Sequence, residues 1–215
     1  MDELRRQTRD GYDVVARAYA QLLPDTRYEA APDLAMVQHF VTGVSASAER
    51  PRVLDAGCGT GRMIGHLAAL DPSLDVVGAD LSPAMAAEAR AAHPGRQIDV
   101  ADLSDLPHDD ASFDGVLAWY SIIHTPPHAL APVVDELGRV LRPGGSLLLG
   151  YQAGTGDRRL DRPYGHDVEL RAFLHHTPYV RSSLETAGLT VDSTLDRAAR
   201  PGEPHAQGFV IATRG

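Results

Sequence analysis

Val53-Leu54-Asp55-Ala56-Gly57-Cys58-Gly59-Thr60-Gly61-Arg62-Met63, followed by Val76-Val77-Gly78-Ala79-Asp80, reads as a buried strand, a glycine turn, a helix and a second strand ending in a carboxylate. That is the pattern of a nucleoside-binding half-fold. Glycines in the turn let the backbone bend tightly and approach a ligand with no Cβ in the way. Asp80 follows a mostly apolar strand, so it emerges at the C-terminal sheet edge, where open α/β sheets bind ligands and where a carboxylate can accept from both ribose hydroxyls. Its competing task would be to cap the helix beginning at Pro83, but Ser82 is better placed for that.

The spacing then narrows the ligand. A dinucleotide fingerprint needs its third glycine at position 62, for close helix packing beside a pyrophosphate, and Arg62 stands there. The Asp55-x-Gly57-x-Gly59-x-Gly61 pattern instead resembles the first motif of the class I S-adenosylmethionine-dependent methyltransferase family. Later segments match that family in order: Val100-Ala101-Asp102-Leu103, Phe113-Asp114-Gly115-Val116-Leu117-Ala118, and Val140-Leu141-Arg142-Pro143-Gly144-Gly145-Ser146-Leu147-Leu148. The resemblance covers roughly residues 10–213 and specifies the cofactor, S-adenosylmethionine, while saying almost nothing about the acceptor.

It implies an α/β, Rossmann-like fold: a seven-stranded, mostly parallel sheet with helices on both faces, an antiparallel last strand and an N-terminal helical cap. A single domain over 1–215 is expected, divided into the cap (1–50), a cofactor-binding core (51–151), a lid (152–176) and C-terminal helix and strands (177–215). The chain's own patterns predict helices over 2–22 and 33–46, strands at 52–56, 74–79, 97–101, 113–118 and 146–151, and helices over 61–70 and 127–141. A helix opens at Thr177-Pro178 and stops at Gly188, followed by strands over 189–195 and 208–213; Arg142-Pro143-Gly144-Gly145 reads as a turn. The stretch 152–176 is too long for an ordinary connection, and its plainest reading is a solvated loop.

Composition closes other routes. There is no lysine among the 20 basic side chains, which excludes a Walker phosphate loop, a pyridoxal Schiff base and a lysine general base. A net charge of -9 argues against wrapping a nucleic-acid backbone. No apolar run suits a membrane span, and the N-terminus lacks a leader's apolar stretch, so a cytoplasmic chain with a small-molecule acceptor and no nucleic-acid or membrane partner is expected. The one cysteine, Cys58, reads as packing beneath the strand end rather than as a nucleophile.

The resemblance also carries site residues. Asp55 is expected to order the glycine loop, Gly57 and Gly59 to present backbone to the methionine part of the ligand, Asp80 to hold the ribose, Leu81 beside it to join the cofactor set, and Asp102 with Leu103 to meet the adenine. Ala118 closes the cofactor set at the end of the fourth strand. Asp105 competes with Asp102, whose plain reading is a turn aspartate. Tyr12-Asp13-x-x-Ala16-x-x-Tyr19 is similar to a family signature whose tyrosines close over the cofactor; at a spacing of seven, Tyr12 and Tyr19 share a helix face, which is equally the mark of core packing.

His124, after the fourth strand, is the candidate catalytic base, with a structural histidine in a Pro-rich turn as its competing role. His124 and His128 suggest no metal, because prolines interrupt them. Arg62 is expected on the surface rather than against a carboxylate; His175 and His176 precede a helix and either cap it or place one of the two in the pocket. Arg158, Arg159 and Arg162 are either a solvated charge run or readers of an anionic acceptor. The expected reaction is in-line methyl transfer to a small molecule. Its rivals are a non-catalytic protein that binds the same ligand and a nicotinamide oxidoreductase, which Arg62 and the internal position of the glycine loop disfavour.

Overall fold

Strands that are apolar on both faces are stable only between two layers of helices. Val53, Leu54, Val76, Val77, Val116 and Leu117 meet that condition, each 2% exposed or less. The computed structural model describes residues 3–215. Its elements are α1 (Glu3–Leu22), α2 (Ala31–Ser45), β1 (Arg52–Ala56), α3 (Arg62–Leu70), β2 (Asp75–Asp80), α4 (Pro83–Ala92), β3 (Ile98–Val100), β4 (Phe113–Trp119), α5 (Leu130–Val140), β5 (Leu141–Gln152), β6 (Asp157–Asp161), β7 (Glu169–Phe173), α6 (Thr177–Thr186), β8 (Leu189–Arg197) and β9 (Gln207–Arg214).

Seven strands form one sheet in the order β3-β2-β1-β4-β5-β9-β8. β1 through β5 pair in parallel, and β9 runs antiparallel to both β5 and β8. Alternate residues serve opposite layers: Leu54 and Ala56 pack with α5 and α6, whereas Val53 packs with α2 and α3. The order reverses between β1 and β4, so their C-terminal ends diverge and leave the crevice in which such sheets hold ligands.

Two local expectations change. Residues 142–145 are not a turn between separate elements: Phe113 pairs with Leu141 and Gly115 with Ser146, so the segment bulges out within a continuous β5. The stretch 152–176 is more than a loop, because it folds into an antiparallel hairpin in which Asp157 pairs with Phe173 and Leu160 with Leu170. That hairpin lies against α1, where a Cβ on Gly11 would come within 2.6 Å of Leu170. Within the cap, Asp13 Oδ1 accepts from Ser82 Oγ at 2.6 Å and from Ala84 N at 3.0 Å, while Ser82 Oγ accepts from Met85 N. α1 is thereby fastened to the start of α4 by a shared N-cap. Asp2, placed in the first helix by the sequence reading, lies outside the described residues. Among the described residues no helix is long and apolar enough to cross a membrane.

Candidate functional site

The glycine loop is held in place by its own backbone. Gly57 N and Cys58 N both donate to Ala79 O, at 2.7 and 2.9 Å, which ties the loop to the end of β2. Gly57 has φ +80, and a Cβ there would lie 2.2 Å from that of Ser121, so two strand ends meet at a point only glycine can occupy. Gly59, at φ +54, has open space where its Cβ would point: the nearest atom is Tyr19 Cε1 at 3.9 Å. Its bare backbone faces a cavity of about 410 Å³, a size typical of small-ligand sites.

Asp80 organises the same loop. Oδ2 accepts from Gly59 N at 2.8 Å and Oδ1 from Ser82 N at 2.9 Å. Each oxygen keeps a second lone pair, and the residue lines the cavity. Burial raises its carboxyl to about 6 in spite of those two donors. Asp55, expected to order the loop, makes no side-chain bond to it: its carboxylate is 1% exposed, and neither oxygen has a partner. Burial pushes it to about 7, against the charge of Arg62 and with that of Asp80. Asp102 and Leu103 line the cavity, but Asp102 Oδ1 already accepts from Ser104 N and Oγ, and Oδ2 meets Arg5 Nη1 at 3.1 Å. Its turn role and its cavity position therefore coexist. Ala118 is fully buried in the core, and the wall beyond it is built by Trp119, Tyr120 and Ser121.

That wall turns sharply. Tyr120 sits in the left-handed region at φ +57, a conformation rare for a bulky residue and characteristic of functional turns. The turn brings Ser121 under Gly57, where its buried Oγ has no partner, and carries His124 over the cavity. His124 Nδ1 lies 2.7 Å from Arg171 O, which can only accept, so Nδ1 carries the proton and Nε2 is the acceptor. Tyr12 OH donates to Nε2 at 2.8 Å. Burial keeps the Tyr12 hydroxyl protonated, and burial also lowers His124 to about 4, with the Arg171 carbonyl opposing and Arg158 adding. His124 is thus unprotonated at pH 7 but a weak proton acceptor, and its lone pair is engaged.

Tyr19 lines the cavity beside Tyr12 and packs edge-on against Tyr164 of the hairpin segment, with centroids 4.9 Å apart. Arg62 is not on the surface. Its side chain is 12% exposed and bonded to Glu29, itself 10% exposed, and Glu29 Oε1 also accepts from Trp119 Nε1 at 3.3 Å. Pocket roles for the paired histidines are corrected as well: His175 is fully buried with Nε2 donating to Ile122 O, and His176 is exposed ahead of α6. Sequence reasoning missed Glu29, Gln152 and Tyr164 in the cavity lining. Only Tyr164 carried a signal, as an aromatic within a stretch otherwise rich in Gly, Arg, Asp and His.

The comparisons with known proteins agree with this architecture. Residues 53–145 match the family described as a methyltransferase domain. A probable S-adenosylmethionine-dependent methyltransferase of Mycolicibacterium smegmatis is 38% identical over 148 residues, covering 66% of this chain and 53% of the relative. The chain spans between 35% and 53% of the length of the first curated relatives it matches. Two solved structures share the fold: the magnesium protoporphyrin IX methyltransferase of Synechocystis PCC 6803, with bound S-adenosylmethionine (TM-score 0.70, 20% identity, 100% of this chain and 99% of that one), and the cyclase SpnF (TM-score 0.73, 19% identity, 98% and 96%). The glycine loop, the carboxylate closing β2, the strand order and these relatives agree: residues 53–145 match a methyltransferase domain, and the chain is similar in sequence and fold to the class I S-adenosylmethionine-dependent methyltransferases.

Proposed function

We propose that this chain binds S-adenosylmethionine and transfers its methyl group to a small-molecule acceptor by in-line displacement. The observation that carries the proposal is a single cavity with two unlike walls. Gly57, Gly59, Asp80, Leu81, Asp102 and Leu103 form one, and Tyr12, His124, Gln152 and Tyr164 contribute to the other. The residues fit the cofactor: Gly59 offers bare backbone, Asp80 keeps two free lone pairs for ribose hydroxyls, and Ser121, which lines the cavity, has a buried Oγ without a partner. When bound there, the cofactor supplies a methyl group made electrophilic by a positively charged sulfur.

The protein's remaining tasks are to position the acceptor and exclude water. Tyr12, Tyr19 and Tyr164 supply three aromatic faces for exclusion. Tyr12 is the cavity-facing end of a short relay: it takes a proton from the acceptor as it passes its own to His124 Nε2. With His124 near 4 the relay is a weak base, which suits an acceptor that ionises readily or loses its proton after transfer.

Radiolabelled methyl transfer from S-adenosylmethionine to a metabolite panel, with S-adenosylhomocysteine binding measured alongside, tests the proposal. Binding without transfer to any acceptor would favour the second reading, a ligand-binding protein without turnover, which the engagement of both His124 nitrogens supports.

A further inference from the structure

All the basic side chains other than histidine are arginines, and among the described residues every half-buried arginine but one meets a carboxylate or a backbone carbonyl. Arg158 is the exception. On β6 the alternation turns Arg158 and Leu160 inward, while Arg159 points outward to Glu169 at 3.1 Å and Asp157 pairs with Arg171 at 2.7 Å. Arg158 Nε and Nη2 both aim at one atom, Gln152 Oε1, at 3.4 and 3.3 Å, longer than a good N–H···O bond. Gln152 lines the cavity.

The partly buried cation is therefore underbonded. Its charge falls on Tyr12, Tyr164 and His124, all on the acceptor wall, and burial without a carboxylate disfavours its charged form. One edge of a planar guanidinium, the edge that grips a carboxylate through two parallel bonds, is held only by a neutral amide oxygen that an anion can displace.

We propose that Arg158 is a specificity residue that recognises a carboxylate or comparable anion on the methyl acceptor, an inference that rests on the methyl-transfer reading. The cofactor's own carboxylate has the same chemistry. The acceptor is favoured because Arg158 holds Gln152, which lines the cavity at the end of β5 with His124 and Tyr164 rather than at the glycine loop.

The test uses the full chain and an isosteric pair of probes, benzoate and benzamide, titrated by calorimetry with and without S-adenosylhomocysteine. Wild type should prefer benzoate. Arg158→Gln should lose that preference roughly 10- to 100-fold, and Arg158→Lys, which keeps the charge but not the fork, should retain part of it. S-adenosylhomocysteine affinity should be unchanged in both variants. Benzoate binding no tighter than benzamide's, or unaffected by Arg158→Gln, overturns the proposal. Loss of S-adenosylhomocysteine affinity with benzoate binding intact assigns the anion to the cofactor and also overturns it. Failure of S-adenosylhomocysteine to bind wild type overturns the methyl-transfer reading instead, and the probe titration of the ligand-free protein then decides Arg158 alone.

Discussion

Lowering the pH should weaken nucleoside binding through Asp80, by an amount the site's geometry sets. The carboxyl rises from an ordinary 3.8 to about 6 on folding, because burial outweighs the donors from Gly59 and Ser82. The folded state thus holds its proton more tightly than the unfolded chain, so this group's ionisation costs stability as pH rises from 3.8 toward 6, by up to about 3 kcal/mol. Ribose hydroxyls donating to the two free lone pairs offset that cost, and they need the charged form. Affinity for S-adenosylhomocysteine should therefore be flat above about pH 7 and fall about tenfold by pH 5, as roughly ten carboxyls become protonated for each left ionised.

Asp80→Asn should remove the pH step at 6. It should also weaken binding by about 2–4 kcal/mol, since an amide cannot accept from both Gly59 N and Ser82 N and still receive two hydroxyls. Quenching of Trp119, the only tryptophan and part of the cavity wall, gives a direct readout to set beside calorimetry. A pH-independent affinity in wild type, or wild-type binding in a folded Asp80→Asn protein, would refute the reasoning.

Asp55, raised by burial to about 7, should make the ligand-free protein lose stability as pH rises between about 4 and 7, and urea unfolding of Asp55→Asn should lack that limb. Glu29→Gln leaves the Arg62 charge buried without its counterion and should cost about 3–5 kcal/mol in the same assay; a loss below about 1 kcal/mol would mean solvent reaches the pair. His124→Ala should lower turnover about 10²- to 10⁴-fold while leaving cofactor affinity near wild type, and should abolish an acid limb lying near pH 4; near-normal turnover would remove His124 from the chemistry. Tyr12→Phe should reproduce most of that turnover loss if the relay runs through the hydroxyl, and little of it if His124 meets the acceptor directly.

What could be read from the chain alone follows the range of the forces involved. The glycine loop and the buried strands were legible because their constraints are local: positive φ, no Cβ, and apolar residues on both faces. Arg62 and Glu29 lie 33 residues apart and carry no common pattern, so Arg62 read as surface until the fold buried both. The hairpin escaped notice because Asp-Arg-Arg-Leu-Asp and Glu-Leu-Arg-Ala-Phe acquire an inside and an outside only once paired, with Leu160 opposite Leu170. Residue type singled out His124, but its weak basicity comes from burial beneath parts distant in sequence, with the charge of Arg158 on β6 adding and the Arg171 carbonyl on β7 opposing.

That division explains why the cofactor was readable and the acceptor was not. The nucleoside wall is made almost wholly by the ends of adjacent parallel strands within residues 55–103, inside the segment 53–145 that matches the methyltransferase domain family. The opposite wall is assembled from α1, the turn after β4, the end of β5 and the hairpin segment, most of it outside that match. His124 joins three of these parts, since Tyr12 of α1 donates to one nitrogen and Arg171 of β7 accepts from the other. On the proposed reading, a change in acceptor is accommodated by the cap, the hairpin and the β4 turn together, while the opposite wall stands on the ends of β1, β2 and β3.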